Sequence, residues 1–403
     1  MKEDGIQFRS PDRRKDRDEM FDMIAKVFSH AGYYNFRDHC RHGYIGGNRY
    51  YDWDASQIGI LDGAIVTHYG VWGYDMRIGA ATVRCGGIGA VATHGDYRKR
   101  GLMAKTVDAS IDAMKACGYD MSILFGIPNF YHKFGYVRSW SRVSYAVRVE
   151  LLARERPNVK PKKFRDMTRG DIEAIYTREH AGLTGTAVRP TYGKAGRGWH
   201  KWQGYFWTDR RGRTIGYVMT NVRDGALECY EVGGGADEAL RVLAMLARKL
   251  GCRELKFVDV HAETPIMKKV RRGDCTTTIN NRKSGGPMMR TIDLASSLRK
   301  MCGELSRRLK KSDLADWRGN LLIADAREKV TLAVANGQVS VAKAAKTKHA
   351  IRGGDEIAQL LIGTDAPAET VEAWGMRVSG DAKQLLPVLF PAQHPMLCPW
   401  DGY

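Results

Sequence analysis

Hydrophobic and polar positions along the chain change period repeatedly, and the changes mark out three segments. In the first, up to about residue 150, Ile6–Phe8 reads as a short strand. Phe21, Ile24, Val27 and Phe28 then recur at helical spacing. The run QIGILDGAIVTHYGVW (57–72) has Asp62-Gly63 between two apolar stretches, the sequence form of a tight β-hairpin. RIGAATVRCGGIGAVAT (77–93) supplies further strand, rich in glycine where another backbone or a ligand comes close. After Gly101 the period becomes helical, with Met103, Val107, Ile111 and Met114 on one face and Gly118 as the C-terminal cap; MSILF (121–125) follows as a buried strand.

The middle segment, 151–288, repeats this order coarsely. YFWTDRRGRTIGYVMTNV (205–222) reads as strand, 237–250 as an amphipathic helix, ELKFVDV (254–260) as strand and NNRKSGGP (280–287) as a linker. The last segment, 289–403, holds a helix over 294–310 and a second at 356–362. Its expected strands are NLLIAD, VTLAVANGQVSVA and ETVEAWGMRVSG, and DAKQLLPVLF is a final helical stretch. The tail PAQHPMLCPWDGY is rich in residues that seek burial.

At 403 residues and 43% hydrophobic content the chain is long enough for several packed domains. No apolar run reaches the roughly 18–20 residues that cross a bilayer, and the charged start is unlike a signal peptide, so a cytoplasmic protein without a membrane partner is expected. Eight cysteines are scattered; Cys229, Cys252 and Cys275 stand 23 residues apart, which suits reduced thiols better than a disulfide framework or a metal knuckle. The net charge of +19 raises nucleic acid as a partner, but its basic runs, RRKDRD near Arg13, KKVRR (268–272) and RRLKK (307–311), are dispersed and read as solvated surface. No nucleic-acid partner and no metal are expected.

The informative stretch is GAVATHGDYRKRGLMAK (89–105), where basic residues and a glycine sit between a strand and a helix. The start of a helix presents unpaired N–H groups and a positive dipole end, which suits a phosphate or diphosphate. Gly101 lets the backbone come close, and Arg98, Lys99 and Arg100 add attraction. Neither GxxxxGK[ST] nor GxGxxG is present, which disfavours nucleoside triphosphates and nicotinamide dinucleotides.

The loop together with FYHKFGYV (130–137) resembles the GCN5-related N-acetyltransferases. A narrower resemblance spans nearly the whole chain: Arg98, Arg100, Gly101 and Leu102, with Phe130, Tyr131, Phe134, Gly135 and Tyr136, match motifs of the enhanced-intracellular-survival (Eis) family. Met103 stands where the wider family usually has Gly or Ala, and the Eis branch accepts a bulky residue there. The resemblance implies an α/β (α+β) architecture: a catalytic acetyltransferase domain (1–150) and a degenerate acetyltransferase-like domain (151–288), both on mixed sheets, then a sterol-carrier-like α+β domain (289–403). It implies acetyl-coenzyme A as donor, a small-molecule or peptide amine such as an aminoglycoside, polyamine or lysine as acceptor, and a homo-oligomer, a hexamer.

It also implies that Val91, Ala92, Thr93 and Lys99, Arg100, Gly101, Leu102, Met103 and Ala104 cradle the coenzyme. Gly126 and Ile127 lie where strands part to admit the thioester. Tyr131 would protonate the departing thiolate, and the α-carboxylate of Tyr403 would accept a proton from the amine. Such chemistry needs an acid and a base, since an ammonium is not nucleophilic and a thiolate leaves more readily once protonated. His30, His68 and His94 read as hydrogen-bonded surface or core residues, and Asp52 and Asp54 as capping acids in a turn, with attraction of a cationic amine as the other reading. Two further readings stay open: a lipid or acyl binder on an inactive scaffold, and a tandem acyltransferase using a larger donor.

Overall fold

The computed structural model describes residues 5–152, 154–164, 170–191 and 203–403. Three sheets organise them. The first contains β1 (Gln7–Arg9), β2 (Gln57–Leu61), β3 (Ala64–Ile78), β4 (Ala81–Thr93) and β5 (Met121–Gly126), side by side in that order. The Asp62-Gly63 turn joins β2 to β3 with both residues at positive φ (52° and 80°), as a primed hairpin turn requires. β3 and β4 form a long antiparallel hairpin, so 77–93 is not one strand but two arms meeting at Gly79-Ala80. The helix Leu102–Ala116 then crosses back and makes β5 parallel to β4, ending at Gly118 with φ of 76°.

The second sheet repeats that connection. Thr214–Arg223 and Ala226–Gly234 form the hairpin, Ala236–Lys249 is the crossover helix, and Glu254–Val258 returns parallel to Ala226–Gly234. The sheets trade strands at their borders: Arg142–Arg148 pairs within the second sheet, whereas Gly286–Thr291 pairs along the outer edge of β5. The third sheet has five strands, with the helix Leu294–Lys310 packed against them. Within it, ETVEAW is not strand as expected but helix, Pro367–Trp374, with proline at the helix start, and only Arg377–Ser379 is extended.

Alternate residues of a strand face opposite sides, which divides the core around the first sheet. Ile123 on β5 packs with Met20, Phe21 and Leu298 in a cluster that continues into the third sheet; Leu124 packs on the other face with Met103, Val107 and Met114. The expectation that RRLKK is solvated fails at Arg308, which is 8% exposed and donates to Glu304 and to the Leu389 carbonyl. All eight cysteines are free thiols.

Asp120, fully buried, fastens the start of β5 to the third unit. Its carboxylate accepts from the Arg84 amide (2.6 Å), the Ser296 hydroxyl (2.6 Å) and Lys300 Nζ (2.5 Å). Lys300 is exposed, so Asp120→Ala chiefly leaves the Arg84 amide and the Ser296 hydroxyl without their acceptor and should cost about 1–3 kcal/mol of unfolding free energy. Urea denaturation measures it, and a loss under about 1 kcal/mol would show the junction to be peripheral.

Candidate active site

The ladder between β4 and β5 runs from Cys85↔Met121 to Ile88↔Leu124 and stops, although β4 continues to Thr93 and β5 to Gly126. The cause lies in β4. His68 pairs with Ala92 and Gly70 with Gly89, so Tyr69 faces two residues, Ala90 and Val91. This bulge, with Ala90 at φ 47°, bends β4 away from its parallel neighbour.

A buried histidine holds the bulge. His68 Nδ1 lies 2.7 Å from the Ala90 carbonyl and Nε2 lies 2.8 Å from the Tyr51 hydroxyl. A carbonyl only accepts, so Nδ1 carries the proton and Nε2 accepts from the phenol. Burial lowers the His68 pKa to about 4, keeping the ring neutral. In a trans peptide the carbonyl and the following N–H point oppositely, so the Val91 N–H is turned away from His68. His68 is thus a core residue, as expected, but one that shapes the strand.

A cavity of about 630 Å³ fills the gap where the strands part. Of the residues expected to cradle a coenzyme, Val91, Thr93, Arg98, Lys99, Arg100, Gly101, Leu102, Met103, Ala104 and Ile127 line it, and so does Tyr131. Ala92 does not; its side chain faces the core. Gly126 does not line it either but makes room for it: a Cβ there would stand 2.6 Å from Tyr131 Cδ2. Val27, Tyr97, Phe130, Lys133 and Phe134 complete the wall. Phe130, Lys133 and Phe134 sit inside the quoted FYHKFGYV run, so the motif held that signal; Val27 reaches the cavity only through the fold.

Gly101 ends the loop at φ 77°, a conformation that disfavours other residues, and open space lies where its Cβ would be. The first N–H groups of the helix Leu102–Ala116 have no intrahelical acceptor, and its first turn carries no acid. Arg98, Lys99 and Arg100 are exposed beside it. The corresponding junction of the second sheet is different: the Gly234 N–H donates to Glu179 Oε1 at 2.6 Å, and Asp237 and Glu238 occupy the first turn of the following helix. A carboxylate of the chain already takes the anion's place there.

Tyr131 is buried, and that burial raises its pKa, so the phenol stays protonated. It packs with Leu124 on the helix 102–116 face. Tyr403 does not line the cavity and lies on the opposite face: its ring stands 6.0 Å from that of Phe125 and 6.3 Å from that of Tyr74, and a Cβ on Gly87 would overlap it. The two tyrosines therefore flank the parted strands from opposite sides. The tail is buried from Pro395 to Cys398 and at Trp400, Asp401 and Tyr403 rather than lying on the surface.

Asp52 is a turn acid: Oδ1 accepts from the amides of Asp54 and Ala55, and Oδ2 from the Tyr119 hydroxyl at 2.8 Å. It borders a larger groove of about 820 Å³, where Asp52, Asp54 and Asp75 face Arg13, Arg49 and Arg84 in near charge balance. Neither the 98–104 loop nor Tyr131 reaches that groove. His94 is half-buried against Tyr97, and His30 is exposed. Among the described residues no group of His, Cys, Asp and Glu is placed to hold a metal, and no helix is long and apolar enough to cross a membrane.

Residues 10–138 match the acetyltransferase (GNAT) domain family. The fold extends the likeness beyond that GNAT region. The chain is similar over 99% of its length to a GCN5-related N-acetyltransferase from Anabaena variabilis (all of that chain, 13% identity, TM-score 0.77). It is likewise similar to a GCN5-related N-acetyltransferase from Kribbella flavida (98% of that chain, 17%, 0.74) and to Eis1 from Mycobacterium abscessus (all of that chain, 14%, 0.69), each over 99% of its own length. At these identities the likeness is one of fold. No curated protein sequence matches the chain.

His68→Leu leaves the buried Ala90 carbonyl unpaired and should cost about 1–3 kcal/mol, whereas His68→Asn, whose amide can donate where Nδ1 does, should cost less. The pH dependence carries a sign. Unfolding lets His68 take up a proton between its ordinary pKa of 6.5 and its folded value of about 4, so stability falls as pH drops through that window. His180, lowered to about 4, and His261, lowered to about 3, act alike. Urea titrations from pH 7 to 4 should give a shallower decline for His68→Asn than for wild type; parallel curves would contradict a neutral buried His68.

Proposed function

We propose that the chain is an N-acetyltransferase that takes acetyl-coenzyme A in the 630 Å³ cavity and passes the acetyl group directly to a primary amine. The observation that carries this reading is that one cavity joins the 98–104 loop, the bulged end of β4 and the Tyr131 phenol. The amides of Leu102 and Met103 would bind the diphosphate, with Arg98, Lys99, Arg100 and Lys133 supplying positive charge around it. Val91, its N–H turned away from His68, would bond to the pantetheine arm or the thioester oxygen.

Tyr131, kept protonated by burial, would donate its proton to the coenzyme sulfur as the carbon–sulfur bond breaks. The α-carboxylate of Tyr403 would take a proton from the attacking amine on the other side of the sheet. Its reference pKa, about 3.3–3.7, makes it a weak base in water, and burial would strengthen it. Direct attack agrees with the thiols: burial pushes Cys40 and Cys85 up to about 12, so neither is a thiolate nucleophile at neutral pH. The Eis resemblance further suggests a hexamer, which light scattering tests; a monomer at micromolar concentration rejects it.

Acetyl-coenzyme A at about 100 times its Kd should stabilise the fold by about 2.7 kcal/mol, read as a rise in Tm. A response to fatty acids instead would favour a lipid binder. Tyr131→Phe should lower kcat by on the order of 10²- to 10⁴-fold with the coenzyme Kd unchanged, and unaltered turnover would remove Tyr131 from the chemistry.

A further inference from the structure

A buried ionic cluster that the proposed chemistry does not use bridges the first two sheets: Glu231 lies on Ala226–Gly234 of the second, and Arg189 follows Ala187–Val188, which pairs with β3 of the first. Arg189, Glu231 and Asp401 have side chains only 0–1% exposed. The Arg189 guanidinium forks onto Glu231, with Nη1 to Oε1 at 2.7 Å and Nη2 to Oε2 at 2.5 Å, and its Nε donates to Asp401 Oδ1 at 3.1 Å. Asp401 also accepts from the Thr191 hydroxyl (2.5 Å) and the Tyr176 hydroxyl (3.3 Å), while the Cys398 thiol donates to Glu231 Oε2 at 2.7 Å. Burying such charges carries a desolvation cost, and a packed apolar cluster of the same volume often gives equal or greater stability. What the ionic set supplies is a fixed position for whatever it grips.

It grips the last turn of the chain. Residues 398 and 401 dock onto Glu231 and Arg189, and two residues beyond Asp401 the Tyr403 ring seats on Gly87 of β4, beside the parted strands. Two residues span at most about 7 Å, so slack at Asp401 reaches Tyr403 almost undiminished. We propose that Arg189 and Asp401 are positioning residues for Tyr403: Glu231 of the second sheet fixes Arg189, and Arg189 holds the chain's last residues against β4 in the service of acetyl transfer. This rests on the acetyltransferase reading above.

Asp401→Asn keeps the shape and an oxygen for Thr191 but removes the charge facing Arg189; Thr191→Val, a milder change, removes one bond to Asp401. In the full chain, hydrogen–deuterium exchange across 396–403 should speed up in Asp401→Asn and, less, in Thr191→Val, while exchange across 84–93 stays as in wild type. Acetyl-coenzyme A should bind with unchanged Kd by calorimetry, and kcat should fall on the order of 10- to 100-fold for Asp401→Asn. A merely structural role would not separate kcat from Kd in this way. Unchanged exchange at 396–403 would overturn the clamp, and faster exchange with undiminished kcat would overturn its part in the reaction. A wild-type protein that binds acetyl-coenzyme A but acetylates no amine would instead sink the acetyltransferase reading, with the exchange data still deciding whether Asp401 holds the tail.

Discussion

Everything at the candidate site depends on one extra residue in β4. Parallel strands stay paired only while both keep register, and the bulge at Ala90–Val91 breaks it after Ile88↔Leu124. The outer edge of β5 is paired along its length by Gly286–Thr291, so the gap opens on the β4 side alone. A positive φ at Ala90 is unfavourable for a residue with a Cβ, and the buried His68–Tyr51 pair supplies the bond that holds it. Without that prop the two strands could zip further and the cavity would narrow.

On the acetyltransferase reading proposed above, the gap also accounts for three sheets meeting at one site. The helix 102–116 face carries the basic loop and Tyr131, and the opposite face carries Phe125 and Tyr403. On that reading, a donor and an acceptor would approach from opposite sides and meet between the strands without competing for space. The third sheet and its helix are bound to the first sheet through a common core and Asp120, and Glu231 of the second sheet, with Arg189, grips the tail. Two carboxylates against one guanidinium would be a poor choice for stability alone.

Local chemistry was legible in the sequence where a short motif fixes it. The Asp62-Gly63 turn, the helix after Gly101 and its Gly118 cap follow from residue type and period, and the loop and FYHKFGYV lead to one cavity. What escaped was non-local. His68 is one imidazole in an apolar strand, and nothing in its neighbours reveals that its partners are Tyr51 and the Ala90 carbonyl. Arg189, Glu231 and Asp401 are far apart in sequence and meet only through folding. Arg308 read as surface because its run is basic, yet Glu304 one turn earlier draws it inward. ETVEAWGMRVSG reads as one short strand, but Pro367 just before it favours the helix start that the chain adopts over ETVEAW.

The most direct measurement is a crystal structure with coenzyme A bound. The account predicts the diphosphate on the amides at residues 99–104, with the pantetheine arm passing between β4 and β5 and its sulfur near the Tyr131 hydroxyl. Coenzyme bound at the groove beside Asp52, or a cavity that stays empty at saturating coenzyme, would contradict it.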